Sequence, residues 1–203
     1  MRLFPVLLAL TASGALLQAQ EKPVRFGLHL VGVSSQGDLR DSGVGKNGWG
    51  AGIHVVFQAS QGVQVRPHLT QLVFSDGQES QTYTSGGITY HDSQTHQLEA
   101  LQIGVDLLLF PTGRTMGGYG LVGLSQDSWK YTNPYRLETV DGPQAGLVVS
   151  GSRARSGLHA GFALGAGWRF TSSWSAELRY EFSHFGDLSE SMDTLRLQAG
   201  YRF

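Results

Sequence analysis

Apolar and polar side chains alternate along most of this chain. Because a β-strand points successive side chains to opposite faces, a period of two predicts strands with one apolar and one polar face. The clearest example runs from Leu158 to Phe170, where apolar residues occupy the even positions and Gly, His, Ala or Arg the odd ones. Eight such segments are predicted, at residues 24–33, 49–59, 63–74, 94–110, 118–131, 157–170, 174–182 and 194–203.

Two of the eight segments are less regular than the others. Residues 63–74 contain Pro67, which has no amide hydrogen to donate to a neighbouring strand. In residues 118–131, Val122 and Leu124 disturb the alternation, so we expect a β-bulge there. The apolar face of this segment is assigned to Tyr119, Leu121 and Trp129.

The links between the predicted strands alternate in length. The long links are residues 34–48, 75–93, 132–156 and 183–193, and the short links are 60–62, 111–117 and 171–173. An even strand number, with short turns at one end and long loops at the other, is typical of bacterial outer-membrane barrels. We therefore predict an all-β fold, an eight-stranded antiparallel up-and-down transmembrane β-barrel. The long links should be solvated loops, the third extended as a hairpin around a turn at Asp141 and Gly142.

Alternation alone does not reveal which face points outward, because a soluble ligand-binding barrel and a membrane barrel have opposite arrangements. Aromatic residues collect near the predicted strand ends, as in the interfacial belts of membrane proteins. These are Phe26, Phe57, Phe110, Tyr119, Trp168, Phe170, Trp174, Tyr201 and Phe203 at the short-turn end, and Trp49, Phe74, Trp129, Tyr180 and Phe182 at the other. The polar face combines glycine with Arg and Glu, which suits a narrow interior holding charge pairs. Both features favour the membrane arrangement.

Composition excludes several functional classes. The 203 residues contain 15 Lys+Arg and 16 Asp+Glu, a formal net charge of −1, and 28 glycines. Cysteine is absent, so disulfides, thiolate metal sites and cysteine nucleophiles are excluded. A near-neutral chain with 12 Arg and 3 Lys is not an obvious nucleic-acid binder.

The N-terminal residues have the layout of a secretory signal peptide. Arg2 is followed by a mostly apolar stretch that continues to Leu17, with small residues such as Ala15 and Ala19 for cleavage. We expect residues 1–19 to be the signal peptide and residues 20–203 to form one barrel domain. The apolar stretch is short for a membrane anchor, which needs about 20 residues.

Motifs that suggest chemistry are explained better by the barrel. Residues 118–123 match the G-x-G-x-x-G spacing of dinucleotide sites but lack the strand before and the helix after that those sites require. His91, Asp92 and His96 fit no strong metal-ligand template. Four histidines fall on the polar face and are expected to be packed by hydrogen bonds, namely His29, His54, His68 and His159. We therefore predict no catalytic, cofactor-binding or metal-binding residues.

The last predicted strand carries a family resemblance. Residues 195–203, which end on Phe203, resemble the C-terminal assembly signal of outer-membrane proteins. All eight segments together are similar to the small barrels that include the OmpA membrane domain, OmpX and the opacity-type surface proteins. The resemblance implies the outer membrane as location, outer-membrane lipid as surroundings and insertion by the barrel assembly machinery through the Phe203 strand. It brings no catalytic residues with it.

The expected function is non-enzymatic: a structural or surface-interaction role carried by long extracellular loops. A narrow pore for small solutes is one alternative, and a soluble periplasmic lipocalin-like barrel with an apolar ligand is another. A third is a lipid A-modifying hydrolase. Residues 183–187 faintly resemble the histidine region of lipid A deacylases, but Gly186 stands where those enzymes have a serine.

Overall fold

The computed structural model describes residues 24–37, 40, 45–185, 190–191 and 193–203. The predicted signal peptide lies outside these residues. The strands are β1 (Arg25–Ser35), β2 (Asn47–Ser60), β3 (Val63–Phe74), β4 (Gly77–Ser85), β5 (Ile88–Leu109), β6 (Gly117–Asp141), β7 (Val148–Arg169), β8 (Trp174–Phe185), β9 (Glu190–Ser191) and β10 (Thr194–Arg202). Among the described residues, no helix is long and apolar enough to cross a membrane.

Eight of the strands close into a ring. Strand β10 pairs with both β1 and β8, and antiparallel pairing continues through β2, β3, β5, β6 and β7. Among the described residues, strand β4 pairs only with β5 and β9 pairs only with β8, so both lie outside the ring. The prediction of an eight-stranded antiparallel up-and-down barrel is confirmed.

The ladder between β2 and β3 is interrupted at the proline. Pairing skips Val55 and Val56 opposite this part of β3, although the register is unchanged where it resumes at Phe57 and Val65. On its other side Pro67 still pairs with Val105 of β5. The missing amide hydrogen therefore weakens the β2 side of the strand, as the sequence led us to expect.

Apolar side chains point outward over most of the ring, and polar side chains point inward. Leu30, Ile53 and Leu158 are more than half exposed on the outer surface. Their inward neighbours include His29 and His54, which are nearly fully buried. This arrangement is that of a barrel surrounded by lipid. It is the reverse of the apolar interior that a lipocalin-like barrel requires.

Strand β6 has the opposite orientation to the one predicted. Tyr119, Leu121 and Trp129 are buried in the lumen, whereas Val122 and Leu124 face outward. The pairing of β6 with β5 runs through this region without a register shift, so the expected bulge is absent from it. The alternation looks blurred because apolar side chains occupy both faces.

Two further aromatics assigned to the outer belt are also inside. Phe74 and Phe110 are only 2% and 4% exposed. Phe74 is the last residue of β3 and Phe110 directly follows β5, and each packs into an apolar cluster of the lumen. An aromatic ring at these positions therefore finds apolar surroundings inside the barrel as well as outside it. The belt of outward aromatics therefore excludes these two, together with Tyr119 and Trp129.

The second long link is a β-hairpin and not the solvated loop that we predicted. Strand β4 pairs along its whole length with the first part of β5. The turn between them consists of Gly86 and Gly87, both with positive φ, at 58° and 76°. Two consecutive positive φ angles are the signature of a tight type I′ hairpin turn, which glycine adopts without strain.

The outward position of Leu164 leads to a stability prediction. If this side chain lies near the middle of the membrane, Leu164→Arg should lower the free energy of unfolding by about 2–4 kcal/mol. The measurement is a urea unfolding titration of the refolded protein in lipid vesicles, with tryptophan fluorescence as the signal. The matched control is Ser152→Arg, on an exposed part of β7 beyond the ring, which should change the free energy of unfolding little. Equal, small effects of both variants would contradict a lipid-facing Leu164.

Candidate functional site

The middle of the lumen holds a network of ion pairs centred on Asp106 of β5. Arg66 of β3 donates two hydrogen bonds to Asp106 Oδ2, from Nε at 3.1 Å and from Nη2 at 2.8 Å. Arg179 of β8 donates to the same carboxylate from Nη1 at 3.3 Å and from Nη2 at 3.2 Å. One carboxylate thus connects two strands from opposite parts of the ring.

The network continues on both sides of Asp106. Arg66 also binds the carboxylate of Glu177, with Nη2 at 2.6 Å from Oε2. On the other side, Glu181 forms ion pairs with Arg179 at 3.6 Å and with Arg196 at 2.9 Å. Three guanidiniums therefore face three carboxylates, all nearly fully buried. Such pairing is what makes buried charge tolerable, since an unpaired ion loses its hydration without compensation.

Neutral side chains supply further hydrogen bonds, although Nε of Arg179 is buried without a partner. The Tyr119 hydroxyl donates to Glu177 Oε1 at 2.7 Å, and the Ser125 hydroxyl donates to Glu181 Oε1 at 2.8 Å. Gln102 accepts from Arg196 Nη1 at 2.8 Å. Satisfying the free lone pairs in this way stabilises the geometry of the network.

Glycine makes room for these side chains, as the sequence indicated. A Cβ on Gly161 would lie 3.2 Å from Glu181 Oε1, and one on Gly167 would lie 2.8 Å from Glu177 Cγ. Any larger residue would collide with the charged side chains. The glycines of β7 are therefore part of the packing of the network.

Three of the four polar-face histidines come together beside the network. His29 Nδ1 lies 3.2 Å from His54 Nδ1, and its Nε2 lies 2.8 Å from the Thr70 hydroxyl. His68 contacts the same hydroxyl at 3.4 Å and reaches Asp106 at 3.6 Å. The fourth, His159, stacks instead against a tryptophan nearer the long-loop end.

Apolar clusters lie in the lumen on both sides of the ionic network. At the long-loop end the cluster consists of Val31, Val33, Leu72, Phe74, Leu98, Ala100 and Trp129. At the short-turn end it consists of Leu108, Phe110, Tyr119, Leu121 and Ala163. Along the barrel axis the lumen is therefore apolar, then charged, then apolar. Side chains fill it, as expected for an eight-stranded barrel.

Three strands extend well beyond the ring at the long-loop end. Strands β5, β6 and β7 have 22, 25 and 22 residues, compared with 11 in β1. A membrane-spanning strand needs about 9–11 residues, so roughly a dozen are left over in each. Together with β4 they form what we call the projecting sheet, made of residues 77–85, 88–97, 131–141 and 148–156.

One face of the projecting sheet continues the lumenal side of the barrel and is rich in tyrosine and arginine. We call it the inner face, and its members include Tyr83, Tyr90, His96, Tyr131, Tyr135, Arg153 and Arg155, together with the carboxylates Glu79 and Asp92. Tyr83 stacks on Tyr90 with ring centroids 5.4 Å apart, and the Arg153 guanidinium lies 5.6 Å from the centre of the Tyr135 ring. Close contacts of this kind hold large side chains in position.

The base of the inner face is tied together by a polar contact across three strands. His96 Nδ1 lies 2.5 Å from the Tyr131 hydroxyl, and His96 Nε2 lies 3.6 Å from Glu79. Burial, together with the nearby Glu79 carboxylate, raises the pKa of Tyr131 above its ordinary value. The hydroxyl therefore stays protonated at neutral pH.

Comparison with known proteins identifies the family. The family described as "Outer membrane protein beta-barrel domain" matches residues 5–203. The chain belongs to this family. The protein is thus a β-barrel of the outer membrane, and no curated protein matches its sequence.

Several solved outer-membrane proteins are similar to this chain in structure. A major outer membrane protein from Thermus thermophilus is 13% identical over 89% of this chain and 100% of its own, with a TM-score of 0.52. Ail, the attachment invasion locus protein of Yersinia pestis, is 13% identical over 89% of this chain and 97% of its own, with a TM-score of 0.47. The N-terminal β-barrel domain of Pseudomonas aeruginosa OprF is 11% identical over 88% and 97%, with a TM-score of 0.47. At 13% identity the likeness to the Thermus protein concerns the fold alone.

Membership in the outer-membrane barrel family gives the two ends of the ring a direction. In such barrels the short turns face the periplasm and the long loops face the exterior. We therefore expect the turn between β7 and β8 and the strand ends around it to be periplasmic, and the projecting sheet to be extracellular. The ionic network lies between them, at the depth of the lipid.

The motifs weighed in the sequence have plain structural roles in the family fold. Residues 118–123 lie inside β6 and pair on both sides, so their glycines belong to a strand. His91, Asp92 and His96 all lie on β5, with Asp92 and His96 on the inner face and His91 on the opposite one. No group of three or more metal-ligating side chains is found among the described residues. Residues 186 and 187, on which the deacylase resemblance depends, lie outside them.

Sequence reasoning missed the part of the projecting sheet formed by β4 and the start of β5, whereas the hairpin of β6 and β7 around Asp141 and Gly142 is found as predicted. Gly86 and Gly87 are a two-residue hairpin signal, and Thr-rich and Tyr-containing stretches flank them. The alternation there is polar on both faces, so a search for apolar periodicity passes over it. The turn residues were the only strong local signal.

The central place of Asp106 in the network leads to a second prediction. Asp106→Asn keeps the shape of the side chain but leaves Arg66 and Arg179 facing a neutral group. We expect a loss of about 3–5 kcal/mol in the free energy of unfolding, measured by urea titration in vesicles. Glu138→Gln, which removes an exposed ion pair to Arg136, should cost less than about 1 kcal/mol. Similar effects of the two substitutions would rule out a stabilising network.

Proposed function

We propose that this protein is a non-enzymatic surface-interaction barrel that binds an extracellular protein through the inner face of its projecting sheet. The observation that carries the proposal is the sheet itself, which extends three ring strands far beyond the membrane. A barrel that served only to fill the membrane would not need them.

The chemistry of the inner face supports a protein partner. Tyrosine and arginine are the residues most enriched where protein interfaces concentrate their binding energy. Tyr83 is 42% exposed on this face, and Arg153 and Arg155 are exposed as well. Because neighbouring strands already hold these side chains in place, binding costs little further ordering.

The tip of the sheet adds exposed apolar surface. Val140, Leu147, Val148 and Val149 are all about half exposed around the turn between β6 and β7. Contiguous apolar side chains in contact with water often mark interaction sites. The tip therefore extends the binding surface beyond the inner face.

Cell attachment tests the proposal. Cells that display the barrel should adhere to wells coated with extracellular-matrix or serum proteins more strongly than cells without it. Tyr135→Ala combined with Arg153→Ala should reduce that attachment about tenfold or more. The reason is that truncating a central tyrosine or arginine of an interface costs about 1 kcal/mol or more of binding free energy. Thr84→Ala combined with Arg136→Ala changes the opposite face and is the matched control. Equal attachment of both variants would refute a role of the inner face.

The closed lumen argues against the alternative of a narrow pore. The network and the two apolar clusters, stacked along the barrel axis, fill the lumen across the middle of the ring. We expect planar lipid bilayers containing the purified protein to show no steady conductance, while a general porin in the same bilayers conducts. Reproducible unitary current steps would favour the pore, provided that detergent added without the protein gives no such steps.

Other partners expected from the sequence remain proposals. Outer-membrane lipid would surround the outward side chains such as Leu30 and Leu158. The barrel assembly machinery would read the strand that ends at Phe203. In this fold that strand is β10, which completes the ring.

A further inference from the structure

Three arginines meet at the periplasmic end of the barrel, where β1 begins and β7 and β10 end. We call Arg25, Arg169 and Arg202 the periplasmic arginine cluster. Arg169 and Arg202 are only 2% and 5% exposed, whereas Arg25 is open to solvent. The cluster is thus a group of cations that is mostly buried but accessible from one side.

The cluster has neutral hydrogen-bond partners only. Arg25 and Arg202 both donate to the carbonyl oxygen of Ser172, at 3.3 Å and 2.7 Å. Arg169 donates to Gln64 Oε1 at 3.0 Å and to the carbonyl oxygen of Thr115 at 2.7 Å. None of the three arginines forms an ion pair with any carboxylate in the part of the chain that the structure describes.

Two buried donors in the cluster are left without a partner. The Nε atoms of Arg169 and Arg202 are buried and make no hydrogen bond. The Arg169 guanidinium lies 4.7 Å from the centre of the Phe110 ring, which attracts a cation but does not neutralise it. The contrast with the central network is sharp, because there each guanidinium faces a carboxylate. Buried positive charge without a counter-ion is unfavourable, and an anion would relieve it.

A cavity of about 210 Å³ lies against the cluster. Its polar lining consists of Arg25, Gln58, Gln64, Thr115, Ser172 and Arg202. The cavity is much larger than a single water molecule requires. It therefore has room for a polyatomic anion next to Arg25 and Arg202.

We propose that Arg25 and Arg202 of the periplasmic arginine cluster bind a phosphate oxyanion in this cavity, with Arg169 adding positive charge from outside its lining. Guanidinium groups suit phosphate because their planar N–H groups match its oxygens in pairs. The two arginines come from different strands, β1 and β10, so an anion with several oxygens can accept from both of them. The site lies at the periplasmic end of the ring, level with lipid headgroups, so the phosphate is either free or part of a phospholipid headgroup.

Phosphate binding to the purified, refolded full chain in a nonionic detergent tests the proposal first. Titration calorimetry with inorganic phosphate, at an ionic strength held constant with chloride, should show saturable binding. Arg202→Gln should weaken the affinity about tenfold or more, because it removes a charged hydrogen-bond donor. Arg114→Gln removes the same charge from the nearby β5–β6 turn, outside the cavity lining, and should leave the affinity unchanged.

Folding is checked for every variant by the change of gel mobility on heating. Arg25→Gln alters an exposed residue of the cluster and replaces Arg202→Gln if the latter does not fold. The proposal would be overturned if Arg202→Gln bound phosphate with the same affinity as the control Arg114→Gln. The same comparison applies to Arg25→Gln where it replaces Arg202→Gln.

Lipid nanodiscs and native mass spectrometry separate the two sources of phosphate. If free phosphate is the ligand, it should still bind in phosphatidylglycerol nanodiscs. If a headgroup is the ligand, those nanodiscs should abolish phosphate binding, and the wild-type protein should retain a phospholipid that Arg202→Gln loses. The proposal would be overturned if phosphate showed no saturable binding in detergent and the wild type retained no phospholipid that Arg202→Gln loses.

Discussion

Closure of the ring by backbone hydrogen bonds is the constraint on which the rest of this structure depends. Lipid offers no partners for amide and carbonyl groups, so each membrane strand must be paired on both sides. Strand β10 provides the final pairing by joining β1 and β8. Eight strands enclose a lumen only wide enough for side chains, so closure also decides what the interior can contain.

The filled lumen separates two ends with different chemistry. Apolar clusters lie on either side of the ion pairs around Asp106, so little connects the exterior with the periplasm through the barrel. Outside, the long strands β5 to β7 present tyrosine and arginine on a well-supported sheet. At the periplasmic end, three arginines lie together, and none of them forms an ion pair with a carboxylate of the described residues. The ring holds both ends in fixed positions, and each can act independently of the other.

Sequence reasoning recovered the parts of this fold that repeat. The period-two pattern found the ring strands, and β3 has the predicted bounds. It failed in β6, because Leu121 and Val122 are both apolar and only three-dimensional packing decides which of them faces lipid. Arg and Glu on one face predicted that ion pairs would form in the lumen, but not which arginine would pair with which carboxylate. Arg66 and Glu177 are 111 residues apart, and only ring closure brings them together.

The long sequence separations within the central network have a consequence for assembly. Asp106 binds Arg66, 40 residues before it, and Arg179, 73 residues after it. The pair between Arg66 and Asp106 joins neighbouring strands and can form early, whereas the contacts from Arg66 to Glu177 and from Asp106 to Arg179 reach β8 and form only when the ring closes. A partly inserted barrel therefore lacks the hydrogen bonds that join its first strands to its last, and the network favours complete closure over any partial ring.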